Sequence, residues 1–396
     1  MRILAVSPNL ATRALPMRGV SRDEQMQLFA DAGHDVRAIV PLPWSPRRWI
    51  AGVRVPDEER EGAVVVHHPS YPRVPSFLRG RSLERRLFTR AVASAIGSWA
   101  WTPDVVLAHS ASLPGGLVGR FPDVPFVVAL YDHEVYERPR QATAARDAIA
   151  QTLRSADCAV YVSDTLRRHG VELAGPHRTA VITFGIETFP DLSRMPPERF
   201  TVCTVTRLVA RKRVDHVILA FARLAAEHPD ARLVIVGDGP ERSALTRLVH
   251  VLGIAGRVEF TGALDARRAR EYMARASVMA LPSVREALGA VYLEAMSLGV
   301  PSLGTRGEAI EEHIEHGVSG VLVPPGDEST LFAELRALAV DPERSKRIGE
   351  AGRRRFWAGP FSWRANAQSY LAMFEELSKA RGTLANRAAN RAGKSA

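Results

Sequence analysis

Two cations and two carboxylates in the second half of the chain have the types and spacing for chemistry on an elongated, charged ligand. Arg207 and Lys212 stand five apart in TRLVARK (206–212), and Glu286 and Glu294 stand eight apart in SVMALPSVREALGAVYLEAMSLGVP (277–301). The second stretch reads as a buried strand at 278–281, a loop carrying Arg285 and Glu286, a helix from about 288 to 298 and another strand after Pro301. On one helix, residues eight apart are separated by about 12 Å of rise and about 80° of rotation. That is too far for a glycoside hydrolase's acid–base pair, typically about 5 to 10 Å apart, and suits the two ends of one ligand. Between the glutamates, the amides of Ala287, Leu288 and Gly289 face outward at a helix N-terminus, where a phosphate fits, and Gly289 lets it approach the backbone closely. Alone, such a pair reads as a solvated loop residue and a surface helix residue, so the surrounding residues decide.

R-E-A-L-G-x-x-x-L-E-A-M-S-x-G-V-P resembles the E-x7-E region of the GT4 family of retaining glycosyltransferases, which have the GT-B fold. TRLVARK resembles the family's R-L-x-x-x-K segment, LVIVGDGP (233–240) its next strand and turn, and VEFTGAL (258–264) the one after. These motifs occur in the family's order within about 100 residues, and the resemblance extends over nearly the whole chain to about Leu377. It implies an α/β architecture of two Rossmann-like domains facing a central cleft, with a C-terminal helix crossing back to the N-terminal domain. It implies that Arg207 and Lys212 hold the diphosphate of a UDP- or GDP-linked sugar, that their charge substitutes for a metal, and that Glu286 takes sugar hydroxyls and Glu294 the ribose. No cofactor beyond the donor substrate is expected.

The elements that must position these residues alternate strand and helix throughout, the rhythm of parallel sheets covered by helices. Strand-like runs are RILAVS, DVRAIV, AVVVHH, DVVLAH, PFVVAL, ADCAVYVS and TAVITF, then TVCTVTRL, ARLVIVG and VEFTG. The expected organisation is an acceptor-binding domain at 1–190 joined by a crossing helix at 361–380, a donor-binding domain at 200–360, and a disordered tail at 381–396. Residues 192–199, with Met195-Pro196-Pro197, break the periodicity and read as the linker.

Three further places bear on the site. Gly19 lies in the long first connection, where the family's glycine-containing loop approaches the transferred sugar; an ordinary turn glycine is the alternative. After FVVAL, relatives carry an H-G-x-D-like tetrad; without gaps Tyr131 takes the His place and Glu134 the acidic one, while a small shift brings in His133. His109, at another strand's C-terminal end, meets the acceptor or serves as a core histidine. The GDGP turn fails G-x-G-x-x-G because Arg242 stands at the third glycine position, and Pro240 fits a helix start. Gly237, Asp238 and Gly239 are therefore read as recognising base or ribose rather than NAD. After Pro301, Gly307 and Glu311 or Glu312 are the nearest equivalents of a G-G-x-P-E segment whose amides meet the distal phosphate.

With 396 residues, 24 % charged and 46 % hydrophobic, the chain is long enough for two cores. Cys158 and Cys203 sit in apolar runs at no metal-binding spacing and read as core residues in a reducing compartment. The N-terminal apolar run is short for a signal peptide and no window approaches 18 apolar residues, so a cytoplasmic protein is expected. A net charge of +10 points to anionic partners. Nucleic acid is disfavoured, because the chain has no zinc-finger spacing, RNP-like aromatic motif or basic heptads. Trp44, Arg47, Arg48 and Trp49, with Arg85, Arg86 and Arg90 of a helix near 83–99, suit an anionic inner-leaflet membrane surface; a domain helix with a solvated basic face is the alternative. The segments PLPWSPRRW (41–49) and HHPSYPRVP (67–75) resemble bacterial GT4 enzymes of exopolysaccharide and teichuronic-acid assembly, and that resemblance implies a polyprenyl-diphosphate-linked glycan acceptor. The rival activities are a soluble small-molecule glycosyltransferase, a GT-B nucleotide-sugar epimerase, a glycoside hydrolase and a non-catalytic sugar-nucleotide binding protein.

Overall fold

The computed structural model describes residues 1–8, 22–44, 55–73, 81–131, 134–136, 143–195 and 197–392. The chain divides into two compact units, one of 1–184 with 363–396 and one of 185–362.

The first unit is built on an eight-stranded sheet. Its strands are β1 (Arg2–Val6), β2 (Asp35–Ile39), β4 (Glu58–Glu61), β5 (Val64–His67), β7 (Val105–His109), β8 (Phe126–Leu130), β9 (Cys158–Tyr161) and β10 (Thr179–Val181), in the order β10-β9-β8-β7-β1-β2-β5-β4. A separate parallel pair joins β3 (Leu42–Trp44) to β6 (Ser70–Pro72). Central strands such as β7 and β8 are buried along their whole length, as a parallel sheet covered on both faces requires, and so read as continuous apolar runs. Only β4 pairs antiparallel in the main sheet. Its sequence EERE puts charge on an edge, where charge discourages further strand addition. The helices are α1 (Arg22–Asp31), α2 (Arg81–Gly97), α3 (Thr143–Ser155) and α4 (Asp164–Ala174).

The second unit has six parallel strands: β11 (Thr201–Val205), β12 (Arg232–Val236), β13 (Val258–Gly262), β14 (Val278–Ala280), β15 (Ser302–Thr305) and β16 (Val321–Val323), ordered β13-β12-β11-β14-β15-β16. Its helices are α5 (Val214–Glu227), α6 (Arg242–Val251), α7 (Ala266–Ala274), α8 (Ala290–Leu298), α9 (Glu328–Val340) and α10 (Pro342–Ala358). In α5, Val214, Val217, Ile218, Phe221, Leu224 and Ala225 are buried, the three- and four-residue recurrence of a helix laid on a sheet. Cys158 and Cys203 are buried strand residues. Burial pushes their thiols up to about 11 and about 12, respectively.

Two boundaries differ from the sequence reading. The expected linker at 192–199 is tied into the second unit, where the Arg194 N–H donates to the Leu298 carbonyl and the Met195 N–H to that of Ala274. The division falls instead between Phe184 and Gly185, because a Pro-broken, aperiodic segment can still have its backbone groups satisfied by neighbouring helix ends. The last helix, α11 (Trp363–Ala392), belongs to the first unit and runs through most of the tail expected to be disordered. Alanine's high helix propensity carries the backbone of this Ala-rich run onward without a core pattern. Within the first unit α11 is anchored by Asn366, which donates to the Thr183 carbonyl at 2.7 Å and accepts from Gln25 at 2.5 Å, and by Arg381, which binds both oxygens of Asp157.

Candidate active site

Apart from Arg270 and Glu294, which stand on α7 and α8, the site residues of the second unit lie on loops that follow the C-terminal ends of its parallel strands, the edge at which doubly wound sheets bind ligands. After β11 the chain passes through Arg207, which is exposed, into a 3-10 turn at Ala210–Lys212 and a left-handed Arg213 before α5 starts. The turn after β12 packs directly on this loop: the Leu208 N–H donates to the Asp238 carbonyl at 2.9 Å and the Leu208 carbonyl accepts from Glu241. Glycine is required there, because a Cβ on Gly237 would lie 1.8 Å from the Thr206 oxygen and one on Gly239 would lie 2.3 Å from that of Leu208. The two glycines therefore seat the Arg207 loop, while the exposed Asp238 accepts from the Gly239 N–H.

The loop after β14 meets the same segment. The Val284 N–H donates to the Arg211 carbonyl at 2.9 Å, and Lys212 Nζ pairs with Glu286 Oε2. Arg211 Nη1 stands 3.7 Å from that same oxygen, and Ser283 Oγ donates to it at 3.1 Å. Glu286 is 9 % exposed, so these donors offset the desolvation of a buried carboxylate. Ser283 Oγ also lies 2.9 Å from the Tyr292 hydroxyl. Burial, and then the nearby Glu286, push the Tyr292 phenol upward, and it donates to the Leu281 carbonyl.

Helix α8 begins at Ala290, two residues later than the sequence reading, with Gly289 at φ 76 as its N-cap. A Cβ there would strike the Tyr292 ring at 2.4 Å. The side chains of Ala287 and Leu288 are buried. The amides of Arg285 and Glu286, in the turn just before Ala287, Leu288 and Gly289, each donate at 2.8 Å to an oxygen of Glu308. The Gly307 amide meets the Glu311 carboxylate at 2.6 Å.

Glu294 has a separate set of partners. Arg270 of α7 pairs with it at 2.9 Å, donates to the Ala266 carbonyl and lies with its guanidinium 5.4 Å from the Phe189 ring centroid. Burial pushes the Glu294 carboxyl up, Arg270 opposes this, and Glu187 adds to the upward push. Residues 187 and 189 thus converge with α7 and α8 on this carboxylate.

In the first unit, Tyr131 stacks on His109 at 5.4 Å and 10° between the rings, and its hydroxyl is 3.1 Å from that of Tyr370. Glu134 is buried and accepts from Ser110 Oγ at 2.5 Å and the Ala111 N–H at 3.1 Å. It therefore holds the turn after β7, in which Ser110 has φ 135. Gly19 and His133 lie outside the described residues, as do Arg47, Arg48 and Trp49. Arg85 does not join a solvated basic face, since it turns inward to the Ala148 carbonyl and Thr152 Oγ1. Arg86 and Arg90 are exposed, as are Trp44 (61 %) and Leu83 (51 %). Among the described residues no helix is long and apolar enough to cross a membrane.

Arg211, Ser283, Glu308 and Arg270 were not singled out from sequence. Arg211 adjoins Lys212 and Glu308 follows Gly307 in a segment already marked, so position signalled both; nothing local signalled Ser283 or Arg270.

Residues 186–355 match the family model described as glycosyl transferases group 1, and residues 19–185 match a glycosyl transferase 4-like domain. The chain is 28 % identical, over 89 % of its length and 88 % of the relative's, to a Bacillus subtilis protein assigned to teichuronic acid biosynthesis as a glycosyltransferase. It is 28 % identical, over 90 % of its length and 96 % of the relative's, to a GDP-mannose-dependent phosphatidylinositol monomannoside mannosyltransferase of Mycolicibacterium smegmatis. Among solved structures, sucrose-phosphate synthase of Thermosynechococcus elongatus superposes with a TM-score of 0.79 at 19 % identity, covering 96 % of this chain and 100 % of that one; this likeness concerns the fold.

Proposed function

The chain belongs to the group 1 glycosyl transferases, with a glycosyl transferase 4-like first half, and on that premise we propose a specific reaction. It transfers a sugar from a UDP- or GDP-linked donor, with retention of anomeric configuration and without a metal, to a glycan or polyprenyl-diphosphate-linked acceptor in cell-surface polysaccharide synthesis. The observation that carries this reading is the joining of two loops: Arg207, Arg211 and Lys212 on one, Glu286 on the other, tied by the Val284–Arg211 backbone bond and the Lys212–Glu286 pair.

Charge develops on the diphosphate oxygen as the C1–O bond breaks and the electron pair leaves with the phosphate. Cations already in place lower that barrier without reorganisation, and the fork of Arg207 suits phosphate oxygens. Lys212 exchanges Glu286 for the diphosphate. Glu286, still contacted by Arg211 and Ser283, accepts hydrogen bonds from sugar hydroxyls. Glu294, held by Arg270, accepts from the ribose. The acceptor oxygen attacks the face from which the diphosphate departs, and its proton passes to a diphosphate oxygen, which preserves configuration. The teichuronic acid and phosphatidylinositol mannoside names of the two relatives, with Leu83 exposed close in sequence to the exposed Arg86 and Arg90 and Trp44 exposed elsewhere in the same unit, support a cytoplasmic enzyme that meets its acceptor at an anionic inner-leaflet surface.

A thermal-shift panel of UDP-, GDP- and ADP-sugars identifies the donor, because ligand binding to the native state raises its stability. With that donor, nucleoside diphosphate release should require acceptor, survive EDTA and yield a product of unchanged anomeric configuration by NMR. Inversion, or loss of activity in EDTA restored by a divalent ion, contradicts the mechanism.

A further inference from the structure

Arg285 has φ 57, a left-handed conformation that disfavours a residue with a Cβ and persists only where its surroundings hold it. The side chain next along the chain is Glu286, whose direction depends on that turn. What holds the turn is one carboxylate: Glu308 Oε1 accepts the Arg285 N–H and Oε2 the Glu286 N–H, both at 2.8 Å. Glu308 is itself fixed in the loop after β15, with its N–H donating to the Thr305 carbonyl and its own carbonyl accepting from Glu311.

We infer that Glu308 is a positioning residue for Glu286, clamping two consecutive amides so that the Glu286 carboxylate emerges toward Ser283, Arg211 and Lys212. This rests on the sugar-transfer reading above. Two parallel N–H donors need two acceptors, and a carboxylate supplies both with a charge that strengthens each bond. A glutamine offers one acceptor and turns an NH2 against the second N–H. An aspartate keeps the charge but falls one methylene short.

The test is Glu308→Gln in the full chain, read in three ways. Hydrogen exchange at the Arg285 and Glu286 amides should accelerate at least tenfold. Turnover of the sugar nucleotide chosen by thermal shift should fall at least tenfold, while the shift induced by the corresponding free nucleoside diphosphate stays unchanged. In a Glu286→Gln background the added Glu308→Gln should change turnover by less than twofold. Unchanged exchange overturns the clamp whether or not any sugar nucleotide is turned over. Losses that multiply in the double variant overturn the positioning role. A native protein that turns over no donor overturns the proposed function instead, and the exchange result still decides the clamp. Should Glu308→Gln not fold, Glu308→Asp carries the same readouts and the same deciding outcomes.

Discussion

Lys212 Nζ is ion-paired with Glu286 Oε2, so the cation assigned to the donor diphosphate is held by the carboxylate assigned to the donor sugar. On the proposed reaction the donor breaks this pair, and Arg211 at 3.7 Å from the same oxygen then keeps Glu286 from becoming an uncompensated buried charge, a state costly enough to be avoided. Glu286→Ala should therefore reduce sugar transfer while leaving free UDP or GDP affinity nearly intact, whereas Glu294→Ala should weaken binding of the free nucleotide. Calorimetry with the nucleoside diphosphate alone separates the two; equal losses of affinity contradict the assignment.

The Glu294 carboxyl is raised above its ordinary value, chiefly by burial. A carboxyl whose pKa is higher folded than unfolded binds its proton more tightly in the native state, so it contributes stability at low pH that is lost as pH rises from the unfolded value through the folded one. Glu294→Gln lacks that loss. Its Tm relative to the native chain should climb across this interval above the ordinary glutamate pKa, and a difference independent of pH argues against the raised carboxyl. Arg270→Met removes the group opposing the rise, so the acid limb of nucleotide affinity should move to higher pH.

Gly237 combines φ 134 with a backbone oxygen where its Cβ would stand. Gly237→Ala should displace the Arg207 loop, costing about 1 to 3 kcal/mol of stability as expected for a strained backbone residue, and should weaken nucleotide binding. Chemical denaturation and calorimetry read both. A native-like stability and affinity show that the loop is not seated by this turn.

The proposed membrane association would draw on basic residues, of which Arg86 and Arg90 are exposed. Basic residues near an anionic surface contribute about 1 kcal/mol each, so the protein should cosediment with anionic vesicles at low salt and release at high salt. Replacing Arg47, Arg48, Arg86 and Arg90 with Gln should reduce binding. No cosedimentation at low salt, or none of it lost in the variant, favours a soluble acceptor.

The fold was legible because fully buried parallel strands such as VVLAH and FVVAL write themselves as unbroken apolar runs, and helices such as α5 as three- and four-residue recurrences. The edge strand β4 was not, since EERE carries no apolar signal. In the site, Arg207, Lys212, Glu286 and Glu294 were legible as candidates through the ordered motifs around them, since charge and spacing alone left the glutamates as surface residues. Glu308 did not, because its role is to accept backbone N–H groups of residues 22 and 23 positions earlier, and no pattern of side-chain types encodes that. Arg270 reads as one of several arginines on α7 until the packing of α8 turns Glu294 toward it.

The central claim, that cations of the loop after β11 stabilise the departing diphosphate, is tested most directly by the turnover of Arg207→Ala and Lys212→Ala with the identified donor at saturation. Loss of a charge-assisted contact that strengthens in the transition state should cost roughly 2 to 4 kcal/mol, or about 10² to 10³ in kcat, with both variants remaining folded. A kcat within a few-fold of the native value in both would contradict the account.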